Sequence, residues 1–214
     1  MSRSPEPFRL PRFYPIVDTG ALADRDWPVL AFGKALLSAG VRILQYRHKE
    51  AWTQTQFDEA KAIAELAHEA SALFVVNDRV DFANLLDAAV HLGQTDLPPQ
   101  AARKIVSEGI IGFSTHNRFQ LEGGDEAPVD YLALGPIFAT QSKAQPDPVV
   151  GPEGLRSLRK LTKKPLVAIG GITLDNVTEV LGAGADSVAT VAGILPDKLE
   201  QVEALAAEWL RRTS

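Results

Sequence analysis

Apolar residues along this chain gather in short, near-continuous runs, and a stretch with helical spacing follows almost every run. The runs are Phe13 to Val17, Val41 to Tyr46, Leu73 to Val76, Ala89 to Leu92, Ile110 to Phe113, Tyr131 to Leu134, Leu166 to Ile169 and Ser187 to Val191. Each has strand length, and a run with no polar alternation marks a strand buried on both faces. Helical spacing is clearest over Ala51 to Ala70, where Phe57, Ala60, Ala64 and Ala67 share a face and Asp58, Glu59, Lys61 and Glu65 lie largely elsewhere. Further helices are predicted over Trp27 to Ala39, Val80 to Leu86, Pro98 to Glu108, Pro152 to Leu161 and Asp175 to Ala183. A weaker one is predicted over Asn117 to Leu121, and Asp197 is expected to cap a last helix reaching Arg211.

Eight strands, each leading into a helix or helical turn, predict a closed parallel (β/α)8 TIM barrel in one domain over residues 13–214, behind a polar, proline-rich leader over residues 1–12. The rival, a doubly wound open sheet, usually carries a Gly-x-Gly-x-x-Gly turn after an early strand, and none stands here. A chain of 214 residues, 45% hydrophobic and 23% charged, is long enough to bury such a core. With no cysteine, thiolate chemistry and disulfides are out of reach. No run approaches a membrane span, so a soluble cytoplasmic protein is expected. A net charge of -5 argues against general nucleic-acid binding, and an anionic ligand would have to meet locally clustered cations.

Barrel enzymes place their chemistry just past the C-terminal ends of the strands. Here those positions hold Gln45, Arg47, His48 and Lys49; Asn77, Asp78 and Arg79; Gly93, Gln94 and Asp96; Ser114 and His116; then Thr140, Ser142 and Lys143. Arg47, Lys49 and Lys143 supply enough positive charge for a polyphosphate, with Arg offering a fork and Lys a point charge. Asp78 and Asp96, hard oxygen donors with no His or Cys beside them, suit magnesium; their competing reading is a pair of helix N-caps, ahead of Val80 and Pro98. Gly170 and Gly171, with Val191, Ala192 and Gly193, leave backbone N–H groups open where barrels hold a monophosphate. His48 and His116 are candidates for acid–base work, whereas His91, inside a strand, reads as a core histidine. Arg79 either binds substrate or neutralises Asp78, the second being favoured, and Trp52 and Phe138 either flank a bound ring or cover the barrel end.

The strings Gln45-Tyr46-Arg47-His48-Lys49, Asn77-Asp78-Arg79, His91-Leu92-Gly93-Gln94-Thr95-Asp96, Gly112-Phe113-Ser114-Thr115-His116, Gly135-Pro136-Ile137-Phe138-Ala139-Thr140-Gln141-Ser142-Lys143 and Ile169-Gly170-Gly171-Ile172 resemble, in order, those of the thiamine phosphate synthase family. The resemblance runs from about Phe13 to Leu195. It implies a transferase that joins an aminopyrimidine-methyl diphosphate to a thiazole-ethyl phosphate and releases pyrophosphate. Position by position, Gln45, Arg47, Lys49, Asn77, Ser114 and Lys143 would bind the pyrimidine diphosphate, with Arg47, Ser114 and Lys143 closest to the chemistry. Asp78 and Asp96 would hold Mg2+, and Thr140, Gln141, Ser142, Gly171, Val191 and Ala192 would surround the thiazole phosphate. The chain departs from the family where Ser142 stands for the common Thr, where Ala192 replaces a Ser, and at Pro15 inside the first strand, which puts that strand's ladder in question. The alternatives are a thiazole tautomerase of the same superfamily, with His116 as its acid–base group, and a non-catalytic binder of thiamine intermediates. Partners are phosphorylated small molecules, and a homo-oligomer is compatible with the sequence.

Overall fold

In the computed structural model, which describes residues 9–140 and 147–214, eight parallel strands close into a ring in sequence order, each paired with its two neighbours and the eighth with the first. They are β1 (Phe13–Asp18), β2 (Ile43–Arg47), β3 (Leu73–Asn77), β4 (Ala89–Leu92), β5 (Ile111–Thr115), β6 (Tyr131–Leu134), β7 (Leu166–Ile169) and β8 (Ser187–Thr190). Around them run α1 (Thr19–Ala23), α2 (Val29–Ser38), α3 (Gln54–Glu69), α4 (Val80–Leu85), α5 (Pro99–Ile105), α6 (Arg118–Glu126), α7 (Gly151–Leu158), α8 (Val177–Gly182) and α9 (Val202–Thr213). This is the (β/α)8 barrel that the strand runs predict.

The strands read as unbroken apolar runs because both of their faces are covered. One parity, with Phe13, Val17, Leu44, Val76, Val90, Leu92, Leu132 and Leu166, packs outward against the helices. The other, with Tyr14, Ile16, Ile43, Val75, Ala89, Tyr131, Ala133, Val167 and Ala189, fills the inside of the ring, where Leu10 also packs. A strand's side-chain period of two therefore sends Gln45 and Arg47, or Asn77, inward along the same line as Ile43 and Val75. That parity sets which rim residues face a common mouth.

Local chemistry explains where the elements begin. Helix α3 starts at Gln54 rather than Ala51 because Thr53 and Gln56 form a capping box, with the Thr53 N–H donating to Gln56 Oε1 at 3.1 Å. The weak helix expected at 117 is a full α6, entered by the Asn117 side chain, which accepts from the Gln120 N–H at 3.0 Å. The expected cap at Asp197 is not used: a 3-10 turn over Leu199–Gln201 comes first, and α9 begins at Val202. Pro15 sits comfortably in β1, whose pairing to β2 starts one residue later, at Ile16. Helix α9 packs on the outer face of β1 through Trp209, fully buried and stacked on Phe13 with centroids 5.1 Å apart; truncating such a side chain costs about 3–5 kcal/mol. Among the described residues no helix is long and apolar enough to cross a membrane.

Candidate active site

The strand parity brings one half of the rim together as a charged cluster. Arg47, at the end of β2, is ion-paired with Asp18 at the end of β1, and the two residues are register partners. Asp18 is doubly occupied, since its other carboxylate oxygen accepts from the Ala21 N–H at 3.0 Å and starts α1. The guanidinium is thus held by a carboxylate that is itself fixed by a helix end. Lys49, half exposed, donates to Asp78 Oδ2 at 2.6 Å.

Asp78 and Asp96 lie within hydrogen-bonding reach of each other. Burial, and then the neighbouring Asp96 carboxyl, push Asp78 up to about 6, and Lys49 offsets only part of that rise. Neither residue caps a helix. Asp78 has φ of 66°, with Arg79 in the capping position of α4 and making no side-chain cap; Pro98 occupies the corresponding position of α5. Asp96 instead accepts from the Gly93 N–H at 2.6 Å and folds its own loop. Two carboxylates crowded together on the rim of a mouth, with no third His, Cys, Asp or Glu clustered beside them among the described residues, form a donor set that fits a hard divalent cation completed by water and ligand oxygens.

Other rim donors point the same way. Asn77 is almost wholly buried, and its Nδ2 has no partner among the described residues, an orphaned donor beside the carboxylate pair. Gln45 is buried and donates from Nε2 to Tyr14 Oη at 2.9 Å. Ser114 Oγ meets His91 Nε2 at 2.8 Å, and its carbonyl accepts from Gln94 Nε2 at 2.6 Å.

The opposite half of the rim is built of backbone. Gly170 and Gly171 follow β7 with φ of 98° and 64°, a conformation that side chains disfavour, and the chain after β6 lies directly on them. A Cβ on Gly170 would come within 2.7 Å of Pro136 Cα, and one on Gly171 within 2.6 Å of the Ala139 carbonyl oxygen. The Ile137 and Phe138 N–H groups donate to the Ile169 and Gly170 carbonyls at 2.9 and 3.0 Å, which sews the two loops together. After β8, half-buried Val191 and exposed Ala192 open a 3-10 turn over Ala192–Ile194. The Gly193 N–H, expected to be open, is instead donated to Thr190 Oγ1 at 3.0 Å, so the donors there reduce to those at the start of the turn. Thr140 ends the described part of this loop; Gln141, Ser142 and Lys143 lie outside the described residues.

Several expectations are revised. Arg79 forks onto Asp81 at 2.8 and 2.5 Å and lies over the Phe82 ring, so the partner of Asp78 is Lys49 and not Arg79. Trp52 stacks on Phe82 at 4.7 Å and lies edge-on to Tyr46 at 5.4 Å. His116 meets the Gly135 carbonyl through Nδ1 at 2.6 Å, and His48 meets Thr19 Oγ1 at 2.7 Å. Asp18 carries a single sequence signal, its place directly after the first apolar run, which is the same rim position that the other strands fill with polar residues.

The family model for thiamine monophosphate synthase matches residues 13–194. A thiamine-phosphate synthase of Koribacter versatilis is 46% identical over 209 residues, covering 95% of this chain and 96% of its own. One from Chloroflexus aurantiacus is 37% identical, covering 86% and 85%. Among solved structures, a thiamine phosphate pyrophosphorylase from Pyrococcus furiosus superposes with a TM-score of 0.84 at 33% identity, covering 95% of each chain.

Proposed function

The chain belongs to the thiamine monophosphate synthase family, and on that premise we infer that it is a transferase joining 4-amino-2-methyl-5-pyrimidinylmethyl diphosphate to 4-methyl-5-(2-phosphoethyl)thiazole, with thiamine monophosphate and pyrophosphate as products. The observation that carries the reading is the division of the rim: cations, a carboxylate pair and an orphaned amide donor on one half, glycine-built backbone on the other. A diphosphate suits the first half and a monophosphate the second.

The reaction breaks the bond between the methylene carbon and the diphosphate oxygen, and the pair of electrons leaves with pyrophosphate. The aminopyrimidine ring delocalises the positive charge that remains, and the thiazole nitrogen then forms the new C–N bond. Little covalent help is needed from the protein, so its work is neutralising the leaving group and aligning the two rings. In this reading Arg47, Lys49 and Lys143 meet the diphosphate charge, while Asn77, Ser114 and Gln45 orient the pyrimidine half. Asp18 keeps Arg47 aimed at the mouth in the resting protein. Asp78 and Asp96 would hold magnesium, which when bound supplies further charge neutralisation at the leaving phosphates. Thr140, Gln141, Ser142, Gly171, Val191 and Ala192 receive the thiazole phosphate, the last through its N–H in place of a side-chain hydroxyl. A cytoplasmic location and phosphorylated small-molecule partners accompany this assignment.

A tautomerase would use His116 as its acid–base group and would have no need of Asp78, Asp96 and Lys143 together, so the presence of all three weighs against it. The test is incubation of the protein with both phosphorylated halves and magnesium, followed by mass detection of the joined product. Joined product establishes the transferase; tight binding of both halves with no product would leave a non-catalytic binder.

A further inference from the structure

Strand β6 ends at Leu134, and residues 135–139 then cross onto the loop after β7 to complete the glycine-built half of the rim. At the head of this crossing the Gly135 N–H donates to the Thr115 carbonyl at 3.2 Å, and the Gly135 carbonyl meets His116 Nδ1 at 2.6 Å. We propose that His116 is a positioning residue for that half of the rim: its Nδ1–H holds the Gly135 carbonyl and so sets how residues 136–139 lie on Gly170 and Gly171. The consequence for substrate rests on the reading of those glycines as the seat of the thiazole phosphate, but the strap does not.

A carbonyl oxygen only accepts, so Nδ1 carries the hydrogen in this bond whatever else the ring touches. The Asp147 carboxylate, on the returning side of the loop, stands 3.5 Å from the same nitrogen as a second acceptor. The donor end of the strap is anchored: the His116 N–H donates to Gln120 Oε1 at 2.8 Å, one residue ahead of the Asn117 cap that starts α6. The acceptor end has no latitude either. A Cβ on Gly135 would stand 2.2 Å from the Ile169 carbonyl oxygen, so this residue is wedged between the ends of β5 and β7.

A side chain is needed here because the backbone cannot supply the donor. Pro136 has no N–H, and the first bonds from the crossing to β7 and its loop come only at Ile137 and Phe138, which donate to the Ile169 and Gly170 carbonyls. Gly135 is buried, and among the described residues no backbone N–H reaches its carbonyl. A carbonyl removed from water without a donor is costly, and the imidazole removes that cost. The segment fixed in this way runs directly to Ala139, whose carbonyl oxygen would lie 2.6 Å from a Cβ on Gly171. A small shift of the crossing therefore reaches the glycine loop itself.

The experiment pairs His116→Leu, which fills space without a donor, with His116→Asn, whose amide nitrogen is bonded to Cγ as Nδ1 is. Amide hydrogen exchange is read by NMR on the ligand-free protein. In His116→Leu the Ile137 and Phe138 amides should exchange about tenfold faster than in the parent. The Leu73 amide, bonded to the Arg42 carbonyl on the far side of the ring, should keep its rate. His116→Asn should hold the parent rates within about threefold. In a coupling assay His116→Leu should raise KM for the thiazole phosphate about tenfold and change kcat much less, and His116→Asn should restore KM. His116→Ala takes the place of His116→Leu should that variant fail to fold. Ile137 and Phe138 amides indifferent to loss of the donor would overturn the proposal. So would a collapse of kcat, with KM unmoved, in His116→Leu and His116→Asn alike, the pattern of an acid–base group. If the exchange behaves as expected in a protein that couples nothing, the strap stands and the transferase reading alone fails.

Discussion

The crowded carboxylates make a prediction that separates a cation site from a merely structural pair. Asp78 titrates near 6 in the folded protein against an ordinary 3.8. Its folded pKa is raised, so the contribution is favourable below about pH 4 and is lost as pH rises through 6. Taken at face value, that difference makes the ionised residue a burden of about 3 kcal/mol at pH 7.5. Partial exposure at the rim screens it, and about 1–2 kcal/mol is the fairer figure. Asp78→Asn removes the charge, keeps a group able to donate to Asp96, and suits the residue's φ of 66°, which Asn tolerates well. Lys49 loses its partner but is half exposed, and water replaces much of what it loses. In magnesium-free buffer at pH 7.5 the variant should therefore melt roughly 2–6 °C above the parent, and the gap should close towards pH 4. Added magnesium should reverse the order: at about a hundred times its Kd it stabilises the parent by about 2.7 kcal/mol and the variant far less. Thermal scans at the two pH values, with and without magnesium, measure all of this. A variant no more stable than the parent without metal, or equal stabilisation of both by magnesium, would refute the reasoning.

Three further outcomes are expected. Lys143→Ala should slow turnover by the equivalent of about 2.7–4 kcal/mol of barrier while weakening thiazole phosphate binding much less, and equal losses measured by steady-state kinetics and titration would remove Lys143 from the leaving-group role. His116→Gln should keep coupling within about tenfold, whereas Asp96→Ala and Arg47→Ala should not; a silent Asp96→Ala beside an inactive His116→Gln would favour the tautomerase. Gly170→Ala should cost about 2–5 kcal/mol, the sum of a positive φ and a Cβ pressed against Pro136, visible as a fall in melting temperature.

The order of elements was legible because parallel strands buried on both faces leave unbroken apolar runs, and the barrel followed from their number. The rim residues were legible as residue types past each run. What the sequence did not show was pairing. Arg79 stands beside Asp78 in the chain, yet the turn sends its side chain to Asp81 and Phe82, and Lys49 reaches Asp78 from the neighbouring strand's loop. Asp78 and Asp96 each precede a helix, so capping looked open to both; only a positive φ at one and a tight loop bond at the other remove it. The contacts of Tyr14 Oη and His91 Nδ1 with the Tyr131 hydroxyl, at 3.0 Å each inside the barrel, were hidden for a different reason. Aromatic and imidazole groups inside apolar runs look like core, and the parity that aligns them becomes visible only when the ring closes and sets β1 across from β6.

The loop after β6 leaves and returns through a tied neck: the Pro136 and Ile137 carbonyls accept from the Val150 and Gly151 N–H groups at 2.9 and 3.1 Å. Both ends of the excursion are thereby clamped to the same few atoms. Changing the length of such a tethered segment carries only a logarithmic entropic cost, about 0.6 kcal/mol for a doubling. In engineering terms Pro136, Ile137, Val150 and Gly151 are the anchor points between which any change of loop length would be made.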